Sequence, residues 1–282
     1  MPTMAEINQL WTAQDTIKAD AERTLRRLLS RVDPSNPFEF LNVLLEAMPE
    51  LVARYGELAG ALAAEWVEAV SGIPGIIPDT LDLAAVEGSA RWAASSTLTG
   101  QATMAVATDH AIASAQRHIL QSGRDTVIQS SANVTTSWAR VLRGPKNCAF
   151  CVTMAARGAV YTSEKAASHV VGRGKTADEV KLKRHKALAK GVKSRGKRDV
   201  GAKFHDKCDC AVVAIRDESD WPEGYDLESL EGMYDSALEQ STGSLKASDT
   251  KAIKERLAKY GKEPDGELLS VLQVMRKQQK IH

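Results

Sequence analysis

The sequence predicts a mainly α protein that carries one small α+β domain, and three observations lead to that reading. Apolar residues recur at spacings of three and four through most of residues 5–141, the period of an amphipathic helix. Hydrophobic content is 43% but aromatic content only 5%, so the core must rest on Ala, Leu and Val, which suits closely packed helices. The four cysteines are confined to two short segments, Cys148-Ala-Phe-Cys151 and His205-Asp-Lys-Cys208-Asp-Cys210, and the best strand candidate, Ala211–Ile215, follows directly. The expected organisation is a helical bundle or arm over 1–141, a Cys/His domain over 142–216 and an acidic helical tail over 217–282.

The first helix is expected over residues 5–32, with Ile7, Leu10, Trp11, Ile17, Ala21, Leu25, Leu28 and Val32 forming the apolar stripe. Lys18, Arg23, Arg26, Arg27 and Arg31 fall mostly on its wet side, and Asp33-Pro34 ends it. Asn36 is a good N-cap for a second helix, with Pro37 in the first turn where a missing N–H costs little. That helix carries Tyr55, Leu58, Leu62, Trp66 and Val70, and Pro49 is expected to interrupt it. Ser71 to Pro78 reads as an irregular linker rich in Pro and Gly.

From Asp79 to about Val141 the pattern is helical again, as two or three helices with breaks expected at Gly100 and at Ser122-Gly123. Leu81, Ala85, Gly88, Trp92, Ile112, Ala115 and Ile119 are the candidate buried positions. His110 and His118 have no metal-like partner at helical spacing and read as core or surface histidines. Gly144-Pro145-Lys146-Asn147 is a turn leading into Cys148, and residues 154–163 suit one helical turn and a strand. Residues 217–239 hold nine acidic residues and no Lys or Arg, with Trp221, Leu227, Leu230, Met233, Tyr234 and Leu238 among them. Two short helices are expected over 245–280, with Leu268, Leu269, Leu272 and Met275 as their stripe.

A formal net charge of +1 says nothing of partners. No apolar run reaches the roughly 18 residues of a membrane span, so no membrane partner is expected. No basic stretch followed by an apolar core opens the chain, so no signal peptide is expected. Those signs favour a reducing compartment, where clustered cysteines serve as metal ligands more often than as disulfides.

Zinc takes four tetrahedral ligands and favours thiolate and imidazole. The pair Cys148 and Cys151 supplies two, and His205 with either Cys208 or Cys210 supplies the others, leaving one thiol over. The next arrangement uses four cysteines, with His205 supporting them. No water-activating carboxylate is tied to the motif, and Asp206 and Asp209 are expected to point outwards, so a structural role ranks above a catalytic one. Disulfides or metal-free thiols form the competing reading. A Cys151/His205 nucleophile and base pair ranks below ligation.

Residues 165–207 hold fourteen Lys or Arg against four Asp or Glu. The densest part comprises Lys181, Lys183, Arg184, Lys186, Lys193, Arg195, Lys197 and Arg198. Such a run is either a solvated loop or a sequence-independent contact to double-stranded DNA, because no aromatics are interleaved for base stacking. A contact with the acidic 217–239 segment is the third reading. Enzyme signatures are missing: Gly172-Arg-Gly174-Lys175-Thr176 lacks the first glycine of a phosphate loop, and neither Gly-x-Ser-x-Gly nor His-Glu-x-x-His occurs. The chain is expected not to be an enzyme. A zinc-braced HNH-like nuclease, with His185 or His205 at its centre, and a plain DNA-binding module are the alternatives from other classes.

Trp138-Ala-Arg140-Val141-Leu142, Cys148-x-x-Cys151, Gly158-Ala-Val-Tyr161 and His205-x-x-Cys208-x-Cys210 together resemble the MuF-like head morphogenesis proteins of tailed phages, in the form found in phages of actinobacteria. The resemblance covers about residues 138–215. It implies a minor capsid protein of the virion, made in the host cytoplasm and present in several copies per particle. The implied partners are the portal protein or the major capsid protein, and packaged DNA. Some relatives are fused to a capsid maturation protease or a toxin domain, and this chain shows neither pattern. The basic insertion at about 165–204 lies outside the family's core pattern.

Overall fold

The computed structural model describes residues 2–79, 81–132, 137–143, 147, 149–156, 208, 210–215, 221–242 and 274–277. They are mainly helical, with one two-stranded sheet, and divide into two compact units. None of the described helices is long and apolar enough to cross a membrane.

The first unit is built on four helices: α1 (Met4–Leu29), α2 (Pro37–Ser71), α3 (Leu83–Leu98) and α4 (Met104–Ala132). A capping box starts α1: the Glu6 N–H donates to Thr3 Oγ1 at 3.2 Å, and the Thr3 N–H donates to a Glu6 carboxylate oxygen at 2.7 Å. Its buried stripe is Ile7, Leu10, Trp11, Ala21, Leu25 and Leu29, so Leu29 takes the place expected of Leu28. Asn36 caps α2, accepting from the Glu39 N–H at 3.1 Å. Contrary to expectation, α2 runs through Pro49 to Ser71 without interruption. An interior proline costs about 3 kcal/mol, but Leu44, Met48, Leu51 and Val52 are all buried within a turn or so of it, each contributing about 1.5–3 kcal/mol, and burial wins. Gly72 ends α2 in the left-handed conformation at φ 67°.

Asp82 caps α3 by accepting from the Ala85 N–H at 3.0 Å, and this register sets which face goes inward. Val86, Ala90, Ala93 and Ala94 are buried, whereas Ala85, Gly88 and Trp92, expected inside, are exposed. The expected break at Gly100 is present (φ 70°), but the one at Ser122-Gly123 is not: α4 passes straight through. Those small residues serve helix contact instead of termination. A Cβ added to Gly123 would lie 3.0 Å from the Ala59 carbonyl oxygen, and one on Gly56 would lie 2.8 Å from Ser122 Oγ. Thus α4 packs along α2, which also contacts α1 and α3. Phe40, Leu44, Met48, Val52, Val86, Ala90, Ala111 and Ile119 form the centre of the core. Trp66 Nε1 donates to the Glu6 carbonyl at 3.1 Å, tying α2 to the start of α1. The linker after α2 lies against α2 and α4 at Gly75 and Ile76, the Gly75 N–H donating to Glu68 Oε1 at 3.0 Å and the Ile76 N–H to Ser130 Oγ at 2.9 Å. Cys208, Cys210 and most of strand β2 (Ala211–Ile215) also belong to this unit.

The second unit holds strand β1 (Ser137–Val141), α5 (Ala149–Ala155) and α6 (Leu227–Thr242). Residues 137–141, expected at the end of a helix, are therefore a strand. Trp138, Ala139, Arg140 and Val141 are buried in succession, a pattern that one helical face cannot satisfy. Helix α5 packs on β1 and α6. Thr153 Oγ1 lies 2.9 Å from the Ala149 carbonyl and 3.1 Å from Met275 Sδ, and the Tyr225 hydroxyl donates to the Arg140 carbonyl at 3.3 Å. Met275, expected on an apolar stripe, is buried in a helical turn at 274–277.

Two outcomes follow. A Cβ on Gly75 would lie 2.7 Å from backbone and side-chain atoms of Ala64, so Gly75→Ala should lower unfolding stability by about 1–3 kcal/mol in a denaturant titration. Unchanged stability would mean that the linker does not pack on α2. Glu6 is held below its ordinary value of 4.5, first by the Thr3 N–H and then by the Thr3 hydroxyl. Because the folded value is the lower one, this contribution is present above 4.5 and is lost as pH falls through the folded value. The stability difference between the wild type and Glu6→Gln should therefore narrow in acid, and a constant difference would argue against the capping box.

Candidate metal centre

Cys151 lies within α5, whose one-turn neighbours Ala149, Val152, Met154 and Ala155 are all buried. Cys208 and Cys210 stand two apart immediately before β2. Their two sulfurs are 3.1 Å from each other. That separation is well beyond the roughly 2.05 Å of a disulfide bond.

The Sγ atoms of Cys151, Cys208 and Cys210 all lie within 4.8 Å of one another. Each residue is buried, at 4%, 3% and 3% exposure. In a tetrahedral site with metal–sulfur bonds of about 2.3 Å, the sulfurs stand roughly 3.8 Å apart, so three such atoms within 4.8 Å need only small adjustments to share one ion. Sulfur donors select soft or borderline metals, and burial on every side suits a closed site better than one open to substrate. The set is therefore able to bind a metal ion.

Of the residues expected at the site, Cys151, Cys208 and Cys210 are brought together. Cys148 and His205 lie outside the described residues, as does the whole basic set Lys181, Lys183, Arg184, Lys186, Lys193, Arg195, Lys197 and Arg198. His110 sits against the exposed Trp92, ring centroids 5.0 Å apart, and His118 Nε2 is 2.9 Å from Ser89 Oγ; neither belongs to the cluster.

One residue at the site escaped the sequence reading. Arg124, on α4 and only 4% exposed, donates from Nη2 to the carbonyl oxygens of Cys208 at 2.7 Å and Cys210 at 3.2 Å. A signal for it exists: Arg124 falls four residues after Leu120 and three before Val127, both buried, so it occupies an apolar register.

The fold and site thus define a helical protein with a small sheet and a buried cluster of three cysteines. Residues 1–237 match the VG15 protein family, and the chain belongs to that family, which makes it a phage-encoded protein. No curated protein and no solved structure matches it.

Proposed function

We propose that the chain is a minor structural protein of the phage head, of the MuF-like type, in which a zinc ion braces the small α+β part. The convergence of Cys151, Cys208 and Cys210 carries this reading, because they are three of the residues on which the resemblance rests. Membership of a phage family over residues 1–237 supports it from a separate direction. The zinc is structural, held by Cys148, Cys151, Cys208 and Cys210, with His205 next to the ligands. Both Cys208 and Cys210 sit in the cluster, and that favours four thiolates over a set that leaves one out. Nothing in this role calls for catalysis. The protein acts through contacts to the portal or major capsid protein, and its 173–203 segment holds packaged DNA by charge.

Elemental analysis of the purified full chain should find about one zinc per chain, lost together with part of the thermal stability in Cys151→Ser. A folded wild-type protein that contains no metal and takes up none would remove the zinc brace. Mass spectrometry and cryo-electron microscopy of purified particles should find the chain inside mature heads, in low and symmetric copy number. Particles that are complete and infectious without it would overturn the head-protein reading.

A further inference from the structure

Arg124 has a feature that packing does not require: a nearly buried cation whose one nitrogen bridges two carbonyls two residues apart, and those two residues are both cysteines of the cluster. Burying a guanidinium costs several kcal/mol unless polar or anionic partners compensate it. An apolar side chain in the same register, between Leu120 and Val127, would avoid that cost.

We propose that Arg124 is a positioning residue for the metal, holding Cys208 and Cys210 as a preformed ligand pair. The inference rests on the zinc reading above. Its geometric part is that one nitrogen holds both carbonyls, at 2.7 and 3.2 Å, while the sulfurs of the same two residues lie 3.1 Å apart. A donor that grips both carbonyls sets the two cysteines in place relative to each other before a metal arrives. The donor sits on α4, a helix of 29 residues packed along α2, so the grip is anchored in the helical core rather than in the loop that carries the cysteines.

The electrostatic part has the same sign. Three thiolates around a dication already carry one net negative charge, and a fourth makes it two. The buried cation of Arg124, held beside the site, has the sign that such a net negative complex favours. Groups that orient ligands from behind in this way usually account for tenfold to a hundredfold in metal affinity.

The test compares full-length wild type, Arg124→Met and Arg124→Lys. Zinc affinity is read by competition with a chromogenic chelator, cobalt(II) absorption reports ligand geometry, and far-ultraviolet circular dichroism confirms that each protein is helical. Arg124→Met is expected to bind zinc at least about tenfold more weakly and to shift the cobalt bands. Lysine keeps the charge but loses the planar fork, so Arg124→Lys should fall between the two. If the methionine variant does not fold, the lysine variant decides. Wild-type affinity and an unchanged cobalt spectrum in either folded variant would overturn the proposal and leave the zinc brace standing. A wild-type chain that binds neither zinc nor cobalt would overturn both together.

Discussion

The close approach of α2 and α4 is the constraint on which the helical unit depends. It is made by residues that have little side chain to offer. Gly56, Ala59, Gly60 and Ala63 are buried on α2, and Ser122, Gly123 and Thr126 face them from α4. With Cβ positions as close as 2.8–3.0 Å to the opposing helix, neither surface tolerates a larger residue without moving the other. The alanines of α3 and α4, Ala90, Ala93, Ala94, Ala107, Ala111 and Ala115, extend the same economy of volume across the core. A core with so few aromatics gains its dispersion energy from backbone proximity, so its helices must be long and well aligned.

The same turn of α4 faces two ways. Gly123 meets the Ala59 carbonyl, and the next residue, Arg124, reaches the carbonyls of Cys208 and Cys210. Adjacent helical positions point about 100° apart, so the tight contact at 123 fixes where 124 is aimed. The packing of two helices and the presentation of a cysteine pair are thus one arrangement. Substitutions at Gly123 would be felt at Cys208 and Cys210 through the shared backbone.

Much of this was legible from residue types, and the failures have physical causes. The caps Asn36 and the stop at Gly100 were readable because each satisfies a local requirement of the backbone. Strand β2 was readable as an unbroken run of β-branched and small apolar residues. The cysteine cluster stood out because so rare a residue was concentrated in two places. Trp138–Val141 misled because a short, wholly buried strand has no period, and an adjoining helical pattern absorbs it. Trp92 misled through its size: its hydrophobicity argued for the core, but the register set by Asp82 points it outward beside His110. Ser122-Gly123 and Pro49 were read as breakers, whereas long-range packing of α2 and α4 outweighs both local preferences. Arg124 was missed despite its apolar register between Leu120 and Val127, since an arginine on a helix is by default assigned to solvent.

Among the described residues, the sheet that the proposed metal would brace is small. Each strand has five residues, and a two-stranded ribbon is marginal in water on its own. The strands are also far apart in sequence, 137–141 against 211–215, so their pairing closes a long loop before any cross-strand contact compensates. Loop-closure entropy rises only slowly with length, by about 0.6 kcal/mol per doubling, but its constant part must be met at any length. Buried side chains, Trp138, Val141, Val212 and Val213 among them, contribute on the order of 1.5–3 kcal/mol each. Small folds in that position draw on disulfides or metals. Under the proposed function, the three buried sulfurs within 4.8 Å of one another are where such a brace would act.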